Sequence, residues 1–376
     1  MGKYQFYLLA LICFLGIDSI FFAQTGEIQS GIFTSDTIQS EILKEVRTLS
    51  VYLPPDYSTS GLSYPVLFLL DGKEHIFHTA GVVEYLVSVG RIPEIIIVGI
   101  HSTNRYRDYT PDKLEHHAGT GEAKNFTRFL TDELFNFVEH KYRTRKYRMI
   151  FGHSYGGSYV LNLLLTNSQL FGSYIAASPN LFIIKNVETK TENFSNKPRH
   201  GLHTLCMTVG EQEKSFIKKI SIFNEILEGI PEGELEWKSD ILTNENHSST
   251  PHKTIYAALE FTFRQFGQFS DDTDKNKIKE QFAFLSKKLG YEVKIPLPVL
   301  INLGNSALSS EKLDQAKSIF ELVVELYPES EWGYVSLGSV FYTNKNFLKA
   351  KEFFQKALKL NPGNQYTQDM LREIDK

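Results

Sequence analysis

Runs of nearly continuous apolar residues recur along the first two thirds of the chain. They fall at 65–70, 95–100, 148–151, 172–177 and 203–209, with a more mixed run at 235–241. Strands buried on both faces read this way. Between them lie apolar positions at helical spacing. Phe126, Phe129, Leu130, Leu134, Phe137 and Val138 mark one face of a helix over 123–142, and 159–165 reads as another. Ahead of these, 27–44 and 45–54 alternate loosely, as an antiparallel entry pair does, until Pro54 and Pro55 stop the second. Strands alternating with helices predict an α/β domain: a mostly parallel central sheet covered on both faces.

The pattern changes after Phe269. Residues 270–277 are polar and charged, the composition of a linker. Beyond them the sequence repeats itself at a spacing of 34: Leu303-Gly304 returns as Leu337-Gly338, Ala316 as Ala350, Phe320 as Phe354 and Pro328 as Pro362. Small residues that let paired helices approach, with a proline closing the second, make the tetratricopeptide pattern. The expected organisation is an α/β domain over 24–269, a linker and connecting helix over 270–295, and a small all-α repeat domain over 296–376. Two full repeats are visible, and 365–374 reads as a capping helix. So short an array is seldom stable alone. The module is therefore expected to pack on the α/β domain or on a second copy, with a groove for a protein partner as the alternative.

The first residues read as a leader. Lys3 precedes an apolar run over 7–17, and Ala23 offers a small residue before a cut. The run is short for a spanning helix and no charged stop follows, so 1–23 is expected to be a cleaved secretory signal and the mature chain to have no membrane span. Removal would take Cys13 and leave Cys206 as the remaining cysteine. One thiol cannot form an internal bridge, and its apolar run suits a small buried hydrophobe. A net charge of −4 points to neither nucleic acid nor an anionic membrane. The basic run over 142–148 reads as a solvated face before a strand.

Chemistry gathers at Gly152-His153-Ser154-Tyr155-Gly156, which sits between a strand-like and a helix-like run. A sharp turn there would lift a serine hydroxyl clear of the sheet, with Gly152 and Gly156 admitting the bend. Downstream, Glu211 and Glu213 follow one predicted strand and His247 follows the last. Nucleophile, acid, histidine is the chain order of the α/β-hydrolase fold, and each candidate stands just past the C-terminal end of a strand. Ser154 is the expected nucleophile and His247 the base; Glu211 and Glu213 both remain candidates for the acid. The amide of Tyr155 and a donor at Gly72 or Lys73, in the turn after the third strand, would bind an oxyanion. The loop 104–111 carries Arg105 and Arg107, which could grip an anionic substrate group or, with Asp108, simply lock the loop. His116-His117 lacks a third ligand at a helical offset, so no metal and no cofactor are expected.

The chain resembles the esterase D- and enterochelin esterase-like family of α/β-hydrolases over roughly 26–268. The matching pieces are Leu69-Leu70-Asp71-Gly72, the loop 104–111, the serine turn 152–157, Ser178-Pro179-Asn180 and His247-Ser248. The resemblance implies Ser154 as nucleophile and His247 as base. It favours Glu213 over Glu211, because Glu213 aligns with the aspartate that many relatives carry after the penultimate strand. It also implies a small-molecule ester as substrate, such as a siderophore lactone or a carbohydrate-linked acyl ester. The expectation is thus an exported, periplasmic or secreted, serine carboxylic-ester hydrolase working through an acyl-Ser154 intermediate. The alternatives are a binding protein that works through its repeats and an acyltransferase with an acceptor other than water.

Overall fold

The computed structural model describes residues 31–376 apart from 116, 197–201, 232 and 271; the expected leader and Cys13 lie outside the described residues. Eight strands form one sheet in the order β1-β2-β4-β3-β5-β6-β7-β8. The strands are β1 (Ile32–Ser40), β2 (Glu45–Leu53), β3 (Tyr64–Leu70), β4 (Ile96–Ile100), β5 (Thr144–His153), β6 (Ser173–Ala177), β7 (His203–Gly210) and β8 (Leu235–Leu242). β1 and β2 pair as the expected antiparallel hairpin, and β2 lies antiparallel to β4. Every other pairing is parallel. The strands read as continuous apolar runs are buried on both faces, β3, β4, β6 and β7 along their whole length.

One face of the sheet is covered by the helical stretch 123–141 and by the helix after β5. Phe126, Phe129, Leu130 and Leu164 meet Val66, Phe68 and Ile150 there. The stretch 123–141 is not one regular α-helix: Phe129–Leu134 is a π-turn. The extra residue in that turn rotates the rest of the helix, so Phe135 joins Leu134 and Val138 in the core while Phe137 packs at its margin, partly buried. The other face is covered by α1 (Gly72–Ser88) and by Thr250–Thr262.

One reading of a polar segment is corrected. From Thr144 onward the basic run is part of β5, which is ten residues long. Its arginines are not simply solvated: Arg143 and Arg145 donate to the carbonyls of Leu62 and Ser63, and Arg148 pairs with Glu139. The connecting helix expected within 270–295 is Lys275–Leu289, started by Asp274, whose carboxylate accepts from the amides of Asn276 and Lys277 at 2.9 Å.

That helix joins the repeats to the sheet. Ile278, Phe282, Leu285 and Leu289 lie in one continuous core with Ile92 and Phe266 of the α/β part and with Leu300, Ile319 and Phe320 of the repeats. Lys288, its side chain 1% exposed, reaches Glu236 at 2.8 Å and the carbonyl of Thr262 at 3.1 Å. Arg145 lies over the ring of Tyr291. The repeats are therefore docked on the α/β part, at the end where its parallel strands begin. Each repeat is closed by the same contact: a Cβ on Gly304 would stand 2.3 Å from the Phe320 ring, and one on Gly338 2.5 Å from Phe354. Among the described residues no helix is long and apolar enough to cross a membrane.

Candidate active site

β3 and β5 are parallel neighbours, with Leu69 opposite Phe151, so they finish at the same edge of the sheet. Each runs straight into a helix: β3 into α1, and β5 into α2 (Tyr155–Asn167). The N-termini of α1 and α2 therefore stand side by side. A helix leaves its first amides without intrahelical acceptors, and its dipole favours negative charge there.

Ser154 occupies the bend between β5 and α2. Its backbone is held at φ 59 and ψ −117, a region that costs a non-glycine residue of order 1–3 kcal/mol. The surroundings fix it there: its amide donates to Ala177 at 2.9 Å, and its carbonyl accepts from the amide and hydroxyl of Ser158. Gly152 is obligatory, since a Cβ would lie 2.2 Å from the Gly156 carbonyl oxygen. Gly156 is not: a Cβ there makes ordinary 3.5 Å contacts with Leu70, and the tighter position is Gly157, 3.0 Å from the carbonyl of Ala177.

His247 arrives from the turn after β8. Its Nε2 lies 2.9 Å from Ser154 Oγ and its Nδ1 2.6 Å from Glu213 Oε1. The other carboxylate oxygen, Oε2, accepts from the amide of Gly210 at 2.7 Å and from the hydroxyl of Ser178 at 2.6 Å. Glycine at 210 gives the carboxylate room, since a Cβ would meet Glu213 Oε2 at 3.0 Å and the Glu245 carbonyl at 2.6 Å. Of the two carboxylates left open by the chain order, Glu213 is the one brought to the histidine. Glu211 accepts from the amide of Asn244 and braces the turn instead.

Gly72 and Lys73 open α1 behind Asp71, which takes a left-handed φ of 54. The glycine at 72 serves the packing of the chain on itself. A Cβ would fall 2.2 Å from the backbone of Gly99 on β4, so the close approach is between chain segments. The Asp71 carboxyl is buried, which pushes its pKa up to about 6 against the pull of Arg105.

The two arginines of the loop after β4 have different fates. Arg105 donates Nε to Asp71 and Nη2 to the carbonyl of His153 at 3.2 Å, and its side chain is 41% exposed at the site. Arg107 faces away. Its guanidinium grips both oxygens of Glu45 and an oxygen of Asp108, so the lock reading replaces the substrate-binding one. Asp108 also pairs with Arg47, whose side chain is fully buried between strand and helix.

Aromatic rings flank the serine and the histidine. On one side Tyr106 meets Tyr155 edge-on at 5.3 Å and stacks on His117. On the other, Phe216 stands edge-on to His247 at 5.6 Å and touches Phe182, itself 58% exposed. Phe216 carries no distinguishing signal in the sequence, since one apolar residue in an amphipathic helix looks like any other. His116 lies outside the described residues, and His117 is engaged with Tyr106. Among the described residues no group of three or more His, Cys, Asp or Glu side chains is placed to hold a metal ion. Cys206 is buried, which pushes its thiol up to about 12.

Residues 40–254 match the family model described as "Putative esterase", and 297–330 and 332–364 match tetratricopeptide repeat models. The chain belongs to that esterase family. It is thereby a carboxylic ester hydrolase carrying two helical repeats. It is 33% identical over 205 residues to the ferri-bacillibactin esterase BesA of Bacillus subtilis, a match covering 45% of this chain and 68% of that protein. Among solved structures it is similar to an IroE-like serine hydrolase from Shewanella oneidensis, with a TM-score of 0.65, 25% identity, and coverage of 77% of this chain and 98% of that one. An uncharacterised protein from Capnocytophaga ochracea shares the fold over 92% of this chain and 99% of its own, with a TM-score of 0.68 at 16% identity.

Proposed function

We propose that this esterase works through an acyl-Ser154 intermediate, with His247 as the base, Glu213 as its orienting carboxylate, and the amides of Tyr155 and of Gly72 or Lys73 as oxyanion donors. The observation that carries the reading is the unbroken hydrogen-bonded chain from Ser154 Oγ through His247 to Glu213. Ser154 Oγ attacks the ester carbonyl carbon while His247 Nε2 takes its proton. Charge gathers on the carbonyl oxygen, which the two helix N-termini are oriented to receive. Collapse breaks the ester C–O bond, and His247 returns the proton to the departing alkoxide. A water molecule then repeats the sequence on the acyl-enzyme and frees Ser154. Glu213 keeps the Nδ1 proton in place and stabilises the imidazolium.

The substrates we propose are siderophore lactones or carbohydrate-linked acyl esters. The similarity to a ferri-bacillibactin esterase supports the first, as does a site flanked by aromatic rings with a half-exposed arginine beside it. We also propose that the protein is exported to the periplasm or beyond after cleavage behind Ala23, on the strength of the apolar leader. Fluorophosphonate labelling of Ser154, with loss of p-nitrophenyl ester turnover in Ser154→Ala, tests the chemistry. Turnover retained by that variant would discard it. A panel of iron-loaded catecholate lactones and feruloylated sugars tests the substrate, and the N-terminal sequence of protein from the exported fraction tests the leader.

A further inference from the structure

His153 immediately precedes Ser154, and its side chain points away from the serine toward the turn that carries His247. Its Nε2 lies 2.7 Å from the carbonyl oxygen of His247, and the two rings sit 4.8 Å apart, centre to centre. A carbonyl only accepts, so the nitrogen facing it carries the proton and donates. The ring is packed edge-on against His75, which itself stands edge-on to Phe151 of the same strand. The carbonyl of His153 accepts from Arg105 at 3.2 Å. This residue is therefore clamped at its backbone and at its ring, and its free end holds a turn 94 positions away.

The turn needs an external hold. Glu211 braces its start at the Asn244 amide and Gln212 donates to the Glu245 carbonyl, but around His247 the other bonds are internal: Asn246 and Ser249 bond one another, the Asn246 side chain takes the amide of Ser248, and Asn244 sits at a left-handed φ of 62. The His247 side chain is 40% exposed, so packing alone does not fix it. Besides His153, the His247 carbonyl accepts from the Thr250 hydroxyl, and that bond is long at 3.3 Å.

We propose that His153 is a positioning residue for the reaction: its Nε2–H, donated to the His247 carbonyl, sets the base against the serine hydroxyl that adjoins His153 itself. The inference rests on the reading of Ser154 and His247 as nucleophile and base. Nucleophile and base then share one rigid element although they lie far apart in sequence. Because reactive geometry is demanding to about half an ångström, loosening this hold lowers turnover more than binding.

The test compares His153→Gln with His153→Met. The two side chains have similar reach and volume, and only glutamine offers a donor at its end. Turnover of a p-nitrophenyl ester is measured per site titrated with fluorophosphonate, so misfolded protein does not count. His153→Met is expected to lower kcat at least tenfold with KM within twofold of the parent, and His153→Gln to stay within about threefold of the parent kcat. A methionine variant within twofold of the parent, or two variants equally impaired, would overturn the proposal. Failure of the underlying reading looks different: Ser154→Ala would then keep its turnover.

Discussion

Glu213 Oε1 lies 2.6 Å from Nδ1 of His247, while its partner oxygen is held by the Gly210 amide and the Ser178 hydroxyl. A carboxylate fixed at both ends can only present one lone pair to the imidazole. Glu213→Gln keeps the shape and removes the charge, and half of its rotamers turn an N–H toward Nδ1. By analogy with the effect of such a change in other triads, kcat is expected to fall by about 10³–10⁴ with little change in KM. Glu211→Gln, which touches only the turn at Asn244, is expected to stay within a few-fold of the parent. Steady-state kinetics on one p-nitrophenyl ester checks both.

The paired arginines give a second contrast. Arg105 stands at the site, bridging Asp71 and the His153 carbonyl. Arg105→Ala is expected to lower kcat/KM by about 10–100-fold, the worth of a hydrogen bond to a charged group, and more for anionic esters than for neutral ones. Arg107→Lys breaks a two-oxygen grip on Glu45 and is expected to cost about 1–3 kcal/mol of stability while leaving KM alone. Urea unfolding alongside kinetics separates the two effects.

Much of this was legible in the sequence because the sheet is parallel and buried. Strands such as 65–70 and 95–100 announce themselves by being apolar on both faces, and strand ends then locate Ser154, Glu213 and His247. The spacing of 34 exposed the repeats for the same reason, as Gly304 and Gly338 must each admit a phenylalanine ring. What stayed hidden depends on side-chain direction. Nothing in the spelling Arg105-Tyr106-Arg107 says which arginine turns inward; that is decided by Glu45 on a distant strand. The π-turn at Phe129–Leu134 and the places of Phe216 and His153 against His247 were likewise set by neighbours far along the chain.

Stability should fall in acid, for a reason visible beside the site. Burial pushes His75 down to about 3 and His78 and His153 down to about 4, against an ordinary value of 6.5. As pH falls below 6.5 the unfolded chain takes up protons that the native state refuses, so stability is lost progressively between about 6.5 and 4. Asp71 acts in the opposite sense: its raised pKa makes the native state take a proton first as pH drops through about 6. Glu94, pushed up to about 7 by burial, acts in the same sense as Asp71, and the three histidines outweigh the two carboxyls. His78→Leu, which removes a ring whose buried Nδ1 has no partner, is expected to lose less stability than the parent between pH 6.5 and 5. Urea unfolding at the two pH values measures it.

Removing 296–376 would uncover the apolar side of Lys275–Leu289 and the surface around Ile92 and Phe266. The shortened chain is expected to melt several degrees lower and to aggregate more readily, since large exposed apolar patches promote association. Turnover per titrated serine is expected to stay within about twofold, because the strand ends that bear Ser154, Glu213 and His247 lie at the far side of the sheet from this contact. Thermal melting and active-site titration of the two chains decide it.

The repeats meet the sheet where its parallel strands set out, and the serine waits where they finish. The molecule thus has a handle at one pole and a mouth at the other. Anything that gripped the handle would leave the approach of an ester to the serine unobstructed.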